Sequence, residues 1–231
     1  MLKVDNYNSN ILKNISFEID NKNLIILGSN GAGKTTLAHL LSGLLEHNNT
    51  VLIDGINPSF TYGDKKTKLI NYIPPKLDIF DDYIDVKEFL DINNLHSNKL
   101  VEDILKLLEI NYLANKPCKQ LSSGESQLLL IASAILHNAK YTIFDEITAN
   151  LDPLKIKKVF NLLKDKNIFN HKIIITHNLD LAYKLKYDIL FIKDGKIVFN
   201  DTNENFFSDE SLKVFFKDSV KKVDNNILVA L

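Results

Sequence analysis

The stretch Leu24-Ile25-Ile26-Leu27-Gly28-Ser29-Asn30-Gly31-Ala32-Gly33-Lys34-Thr35-Thr36 starts as an unbroken apolar run and passes through a glycine-rich turn. It leads into leucines at Leu37, Leu40, Leu41, Leu44 and Leu45. The apolar run reads as a buried strand and the leucine spacing as one stripe of an amphipathic helix, so the segment predicts strand, loop and helix. Residues 28–35 fit GxxxxGK[ST], a phosphate-binding loop, in the setting that motif requires. Gly28, Gly31 and Gly33 let backbone N–H groups, with those of Ser29, Asn30, Ala32 and Thr36, turn toward phosphate oxygens. Lys34 can reach the β and γ phosphates, and the Thr35 hydroxyl can ligate Mg²⁺. A helix dipole contributes only about 0.3–1 kcal/mol, so directed N–H donors and Lys34 must provide most of the grip.

Two later apolar runs, Tyr141-Thr142-Ile143-Phe144 and Lys172-Ile173-Ile174-Ile175-Thr176, are each followed by a polar turn and a helical pattern. Such runs alternating with helices predict an α/β fold with a mostly parallel core sheet covered on both faces. Between about Pro75 and His137 the pattern becomes mostly helical, with Val101, Ile104, Leu105, Leu107 and Leu108 marking one amphipathic segment. That stretch reads as a helical insertion within one domain spanning residues 1–231. From about Ser208 a tail with a helix over Glu210 to Lys217 runs to residue 231.

The first apolar run after the insertion ends in Asp145 and Glu146. One carboxylate at such a strand end can hold Mg²⁺ and the next can polarise a water for attack on a γ-phosphate. His177 follows the other run, at the sheet edge where open α/β folds bind ligands, and could bond the γ-phosphate and hold the attacking water. The stretch Leu121-Ser122-Ser123-Gly124-Glu125-Ser126-Gln127 opens another helix and offers a second set of phosphate donors.

The chain has 231 residues, 45% hydrophobic and 25% charged, with a formal net charge of -1. That balance gives no reason to expect nucleic acid as a partner. All 28 basic residues are lysine, so the chain can supply no arginine finger. The single cysteine, Cys118, excludes an internal disulfide. Neither a signal-peptide core nor an apolar run of membrane-spanning length is visible, which predicts a cytoplasmic protein.

The ordered set GSNGAGKTT, LSSGESQ, IFDE, NLDP and ITHN resembles the nucleotide-binding subunit of ATP-binding cassette (ABC) transporters, from about Tyr7 to His177. The resemblance implies a P-loop NTPase fold with an N-terminal antiparallel β subdomain, and ATP and Mg²⁺ as cofactors. It implies Glu146 as general base and His177 as positioner of γ-phosphate and water. In this family Ser122, Ser123, Gly124 and Glu125 serve the nucleotide bound by a second ATPase subunit, identical or paralogous. Asp152 resembles the residue that contacts that partner, and Tyr7 the aromatic that stacks on adenine. The resemblance further implies an integral membrane permease as partner and a peripheral position on the inner face of the cell membrane. The single short cassette resembles an importer's subunit for a metal ion, metal chelate or vitamin. An exporter subunit, a soluble non-transport cassette ATPase and a non-catalytic ATP-dependent module stay open; a kinase or GTPase would leave LSSGE unexplained.

The sequence departs from the family pattern in places. Pro75 stands where the family has a glutamine that links Mg²⁺ and water to the permease face, and proline has no side-chain oxygen. Gln127 lies elsewhere in the chain and is not expected to replace it, so weak or partner-dependent ATPase activity is expected. Ser123 replaces a common glycine, Ile147 a common proline, and no arginine follows the signature.

Overall fold

The computed structural model describes residues 1–46, 50–79 and 81–229, so the last two residues of the expected tail lie outside it. Contacts divide the chain into two compact units, Met1–Ser59 with Lys172–Leu231, and Phe60–His171.

The first unit opens with β1 (Leu2–Tyr7), β2 (Ile15–Ile19), β3 (Leu24–Gly28), α1 (Lys34–Leu41) and β4 (Val51–Ile53). Strand β1 pairs antiparallel with both β2 and β4, which forms the expected N-terminal antiparallel sheet. Helix α1 is shorter than the leucine stripe suggests. It ends at Leu41 because the chain turns left-handed at Gly43 (φ 66), and Leu44 is 59% exposed instead of buried.

The second unit runs through α2 (Gly63–Leu69), β5 (Ile70–Ile73), α3 (Val86–Asn93), α4 (Val101–Leu108), α5 (Ser123–His137), β6 (Tyr141–Asp145) and α6 (Pro153–Lys164). Strands β5 and β6 pair in parallel, with Tyr72 opposite Ile143. Three helices, α3 to α5, occupy the stretch read as a helical insertion. In α4 the stripe is Val101, Ile104, Leu105 and Leu108, whereas Leu107 points to solvent, one residue off the stripe. Helix α5 is buried on every side from Leu128 to Leu136, so its apolar surface is not confined to the single face read from the sequence.

The chain then returns to the first unit through β7 (His171–Thr176), α7 (Leu179–Leu185), β8 (Asp188–Lys193), β9 (Lys196–Asp201), α8 (Asn203–Phe206), α9 (Asp209–Phe216), β10 (Val220–Val223) and β11 (Asn226–Val229). Here β3 lies between β7 and β8, parallel to both, and β9 closes the edge antiparallel to β8. Ile25, Ile26, Ile174, Ile175, Ile189 and Leu190 are fully buried, as the continuous apolar runs require of strands covered on both faces. The tail is better anchored than its sequence pattern indicates. Phe206, Phe215 and Phe216 pack on Phe191 at ring separations of 5.1–5.8 Å, and β10 and β11 form a hairpin after α9.

Candidate functional site

In the first unit, β3 delivers Gly28 to the start of the loop and α1 begins at Lys34. Gly33 caps the helix in a left-handed conformation (φ 102), and a Cβ there would stand 2.7 Å from Leu12 Cδ2. Only glycine meets both demands without strain. Ser29, Asn30 and Gly31 are exposed, while Ala32 is buried with its N–H donating to the Ser29 carbonyl at 3.2 Å. Lys34 is 7% exposed and folds back along the loop, its ammonium donating to the Gly28 and Ser29 carbonyls at 2.9 and 3.1 Å. Thr35 is exposed and Thr36 half-buried in the same first turn. Lys34 and the first turn of α1 thus lie against one short glycine-rich loop.

Thr176 is in register with Leu27, which places His177 beside Gly28 at the ends of neighbouring parallel strands. Gly28, Ser29, His177, Leu179, Phe191 and Phe215 are among the residues that line one cavity of about 300 Å³. Tyr7 ends β1, half-buried, just past an irregularity in its pairing with β2. The loop that follows carries Leu12, fully buried under Gly33.

In the second unit, β6 ends at Asp145, whose side chain is 1% exposed and accepts a hydrogen bond from the Tyr72 hydroxyl at 3.1 Å. Burial, then the Asp145 charge and this hydrogen bond, push the Tyr72 phenol above its ordinary pKa. Glu146 is the next residue, partly exposed and left-handed (φ 52), and the chain turns there through an Ala149 N–H bond to the Glu146 carbonyl. Ile147, in place of the family's proline, is buried.

Ser122 and Glu125 form a reciprocal cap on α5: Glu125 N–H donates to Ser122 Oγ at 3.3 Å, and Ser122 N–H donates to Glu125 Oε2 at 2.8 Å. Lys116 Nζ donates to the same carboxylate oxygen at 2.9 Å. The Ser122 N–H bond, followed by Lys116, holds the Glu125 carboxyl below the usual carboxylate range. Glu125 is therefore engaged within its own helix start, while the Ser122 and Ser123 side chains stay at the surface. Gly124 is buried against the turn between β6 and α6, where a Cβ would lie 3.3 Å from the Asn150 carbonyl oxygen. Asp152 caps α6 by accepting from Lys155 N–H at 3.0 Å and pairs with Lys155 Nζ at 3.1 Å.

One expectation is corrected here. Gln127 does not lie apart from Pro75: its side-chain amide donates to the Pro75 carbonyl at 2.5 Å, because the first turn of α5 packs beside the segment after β5. Tyr72, Lys116 and Gln127 hydrogen-bond Asp145, Glu125 and Pro75 although no motif in the sequence points to those contacts. Nothing in the sequence announces the β5–β6 pairing that brings Tyr72 to Asp145. The capping pattern Ser-x-x-Glu was visible, but its partner Lys116 was not.

Phosphate loop, strand-end acidic pair, strand-end histidine and capped LSSGE helix occur in one chain, and comparison with known proteins agrees. The chain matches the ABC transporter family over residues 12–149, more than half its length, and belongs to that family. It is 32% identical over 251 positions to the energy-coupling factor transporter ATP-binding protein of Aster yellows witches'-broom phytoplasma, covering 94% of this chain and 88% of that protein. It is 28% identical over 256 positions to the corresponding protein of Fusobacterium nucleatum, covering 98% and 95%. Among solved structures, cbiO1 of Clostridium perfringens, part of the ABC transporter complex cbiONQ, superposes with a TM-score of 0.73 at 25% identity, covering 93% and 95%. The chain is an ATP-binding, ATP-hydrolysing cassette subunit of the transporter type. Among the described residues, no helix is long and apolar enough to cross a membrane.

Proposed function

We propose that this chain powers uptake of a small solute, a metal ion, metal chelate or vitamin, through a separate permease at the cytoplasmic face of the cell membrane. The observation that carries the reading is that similarity to energy-coupling factor ATP-binding proteins extends over 94% and 98% of the chain, well beyond the family match and into the tail.

In this reading the backbone of residues 28–33 and Lys34 hold the β and γ phosphates of ATP. Lys34 stands at the loop, where its ammonium donates to two loop carbonyls and would turn from them toward the phosphate oxygens on binding. Thr35 and Asp145 offer hydroxyl and carboxylate oxygens, the hard donors that suit Mg²⁺, which when bound would neutralise charge on the phosphate oxygens. Glu146 takes the proton of the attacking water, and His177 holds that water and the γ-phosphate in line. Tyr7 stacks on adenine. Ser122, Ser123 and Gly124 serve the nucleotide of a second ATPase subunit, Glu125 acts by holding their helix start, and Asp152 faces that partner. ATP and ADP then differ in how strongly they favour the closed dimer, which is the difference in affinity a transport cycle needs.

The test is twofold. Glu146→Gln should abolish turnover and trap an ATP-bound dimer visible by size-exclusion chromatography; undiminished turnover would remove Glu146 as the base. Gentle solubilisation of membranes carrying the tagged chain should co-purify a polytopic permease, and reconstituted vesicles should accumulate solute on the side of ADP release. Recovery of soluble partners alone would sink the transport reading.

A further inference from the structure

Gln127 has a side chain with one end bonded and the other not. It is 1% exposed, its Nε2 donates to the Pro75 carbonyl, and its Oε1 is buried without a hydrogen-bond partner. Burying an amide oxygen without a donor is unfavourable, so a residue that served only to fill space would be better replaced by an apolar one of the same shape. The amide end does specific work. It bridges the segment after β5 to the first turns of α5, five residues beyond the Ser122 cap.

The surroundings extend that bridge. Pro75, Lys76, Ser123, Ser126, Gln127 and Asn150 are among the residues lining one cavity of about 350 Å³ in the second unit. At the same helix start, Gly124 lies against the Asn150 carbonyl. The Pro75 segment, the LSSGE turn and the turn leading to Asp152 therefore meet around one helix end. Pro74 and Pro75 each fix φ near −65°, so a displacement of this segment is passed on instead of being absorbed by rotation of the chain.

We propose that Gln127 is a positioning residue that locks the Pro75–Leu77 segment to the start of α5, so that this segment and the Ser122–Gly124 donors shift as one piece. The link runs from the Gln127 amide to the Pro75 carbonyl, which the backbone holds in place whatever the side chain. The consequence for ATP rests on the function proposed above; the mechanical link does not.

The experiment uses Gln127→Leu, similar in size but unable to donate. Hydrogen–deuterium exchange of the nucleotide-free protein should show amides in residues 71–79 and in 121–126 both exchanging several-fold faster, with the melting temperature unchanged. Faster exchange in only one segment, or in neither, overturns the link. Should the leucine variant fail to fold, Gln127→Asn, which keeps the amide but is too short to reach Pro75, is read in the same way. In a Glu146→Gln background, Gln127→Leu should raise the ATP concentration for half-maximal dimerisation about fivefold or more, the lower end of ordinary coupling between sites. ATP binding by the monomer should stay the same. An unchanged dimerisation midpoint would overturn the coupling to the donors. If Glu146→Gln alone does not dimerise with ATP, the proposed function fails, and the exchange measurement still decides the role of Gln127.

Discussion

The Tyr72 hydroxyl donates to Asp145 Oδ2 at 3.1 Å, so the neighbouring strand helps to hold the acidic residue that closes β6. Tyr72 is opposite Ile143, and side chains two apart on a strand share a face, which brings Asp145 within its reach. Tyr72→Phe removes a donor from a buried carboxylate. The expected loss is about 1–3 kcal/mol of unfolding free energy, measured by urea titration. If Asp145 serves Mg²⁺, the same variant should raise the Mg²⁺ concentration for half-maximal ATPase about 10-fold or more, as loss of a ligand's supporting contact does.

The raised pKa of Tyr72 has a pH signature of defined sign. Burial comes first among its causes, then the Asp145 charge, and both keep the phenol protonated in the folded state. The unfolded phenol ionises at about pH 10, so above that pH the unfolded state binds fewer protons and stability falls as pH rises. Tyr72→Phe should flatten that alkaline loss in thermal melts between neutral and strongly alkaline pH.

Glu125 gives the opposite window. Its carboxyl is held below the ordinary range by the Ser122 N–H and then by Lys116. The stabilisation is complete above the unfolded pKa of about 4.3 and is lost as pH falls through the lower folded value. Glu125→Gln keeps an acceptor for the Ser122 N–H but loses the charge facing Lys116 and the helix start, and should cost about 0.3–1 kcal/mol at pH 7. The gap to the unmodified protein should close in acid, as measured by chemical unfolding at pH 7 and below pH 4.

Gly33→Ala tests the loop geometry. At φ 102° a methyl group is strained, and at 2.7 Å from Leu12 Cδ2 it would push that side chain aside. A left-handed non-glycine costs about 1–2 kcal/mol, so a loss of that size in unfolding free energy is expected by urea titration, with displacement of the Leu12 loop reported by faster exchange over residues 8–14.

Cys118 should be inert. It is buried, and burial, followed by the Asp85 and Glu88 charges, pushes its thiol up to about 11. Only roughly one thiol in a thousand is then ionised at pH 8. N-ethylmaleimide should label the native protein slowly and the urea-unfolded protein at once, which mass spectrometry would read directly.

The linear code of this chain determined the phosphate loop, because GxxxxGK[ST] is contiguous and its strand and helix are local. It also determined the parallel strands, whose short β-branched apolar runs bounded by polar turns suit strands covered on both faces, and the capping pattern at Ser122. The strand-end positions of Asp145, Glu146 and His177 were legible because each apolar run marks where its strand stops. The aromatic anchoring of the tail was not legible, since Phe206, Phe215 and Phe216 acquire their meaning only from Phe191 on β8.

Helix ends and long-range contacts belonged to the tertiary structure. The stripe in α1 promised another turn after Leu41, which backbone conformation at Gly43 denied. Tyr72 meets Asp145 through strand pairing, and Gln127 meets Pro75 across more than fifty positions of chain, with |i−j| of 52. Periodicity records which face of an element is apolar. The partner of a buried polar atom is instead chosen by the packing of elements distant in sequence, where leaving that atom unpaired is costly.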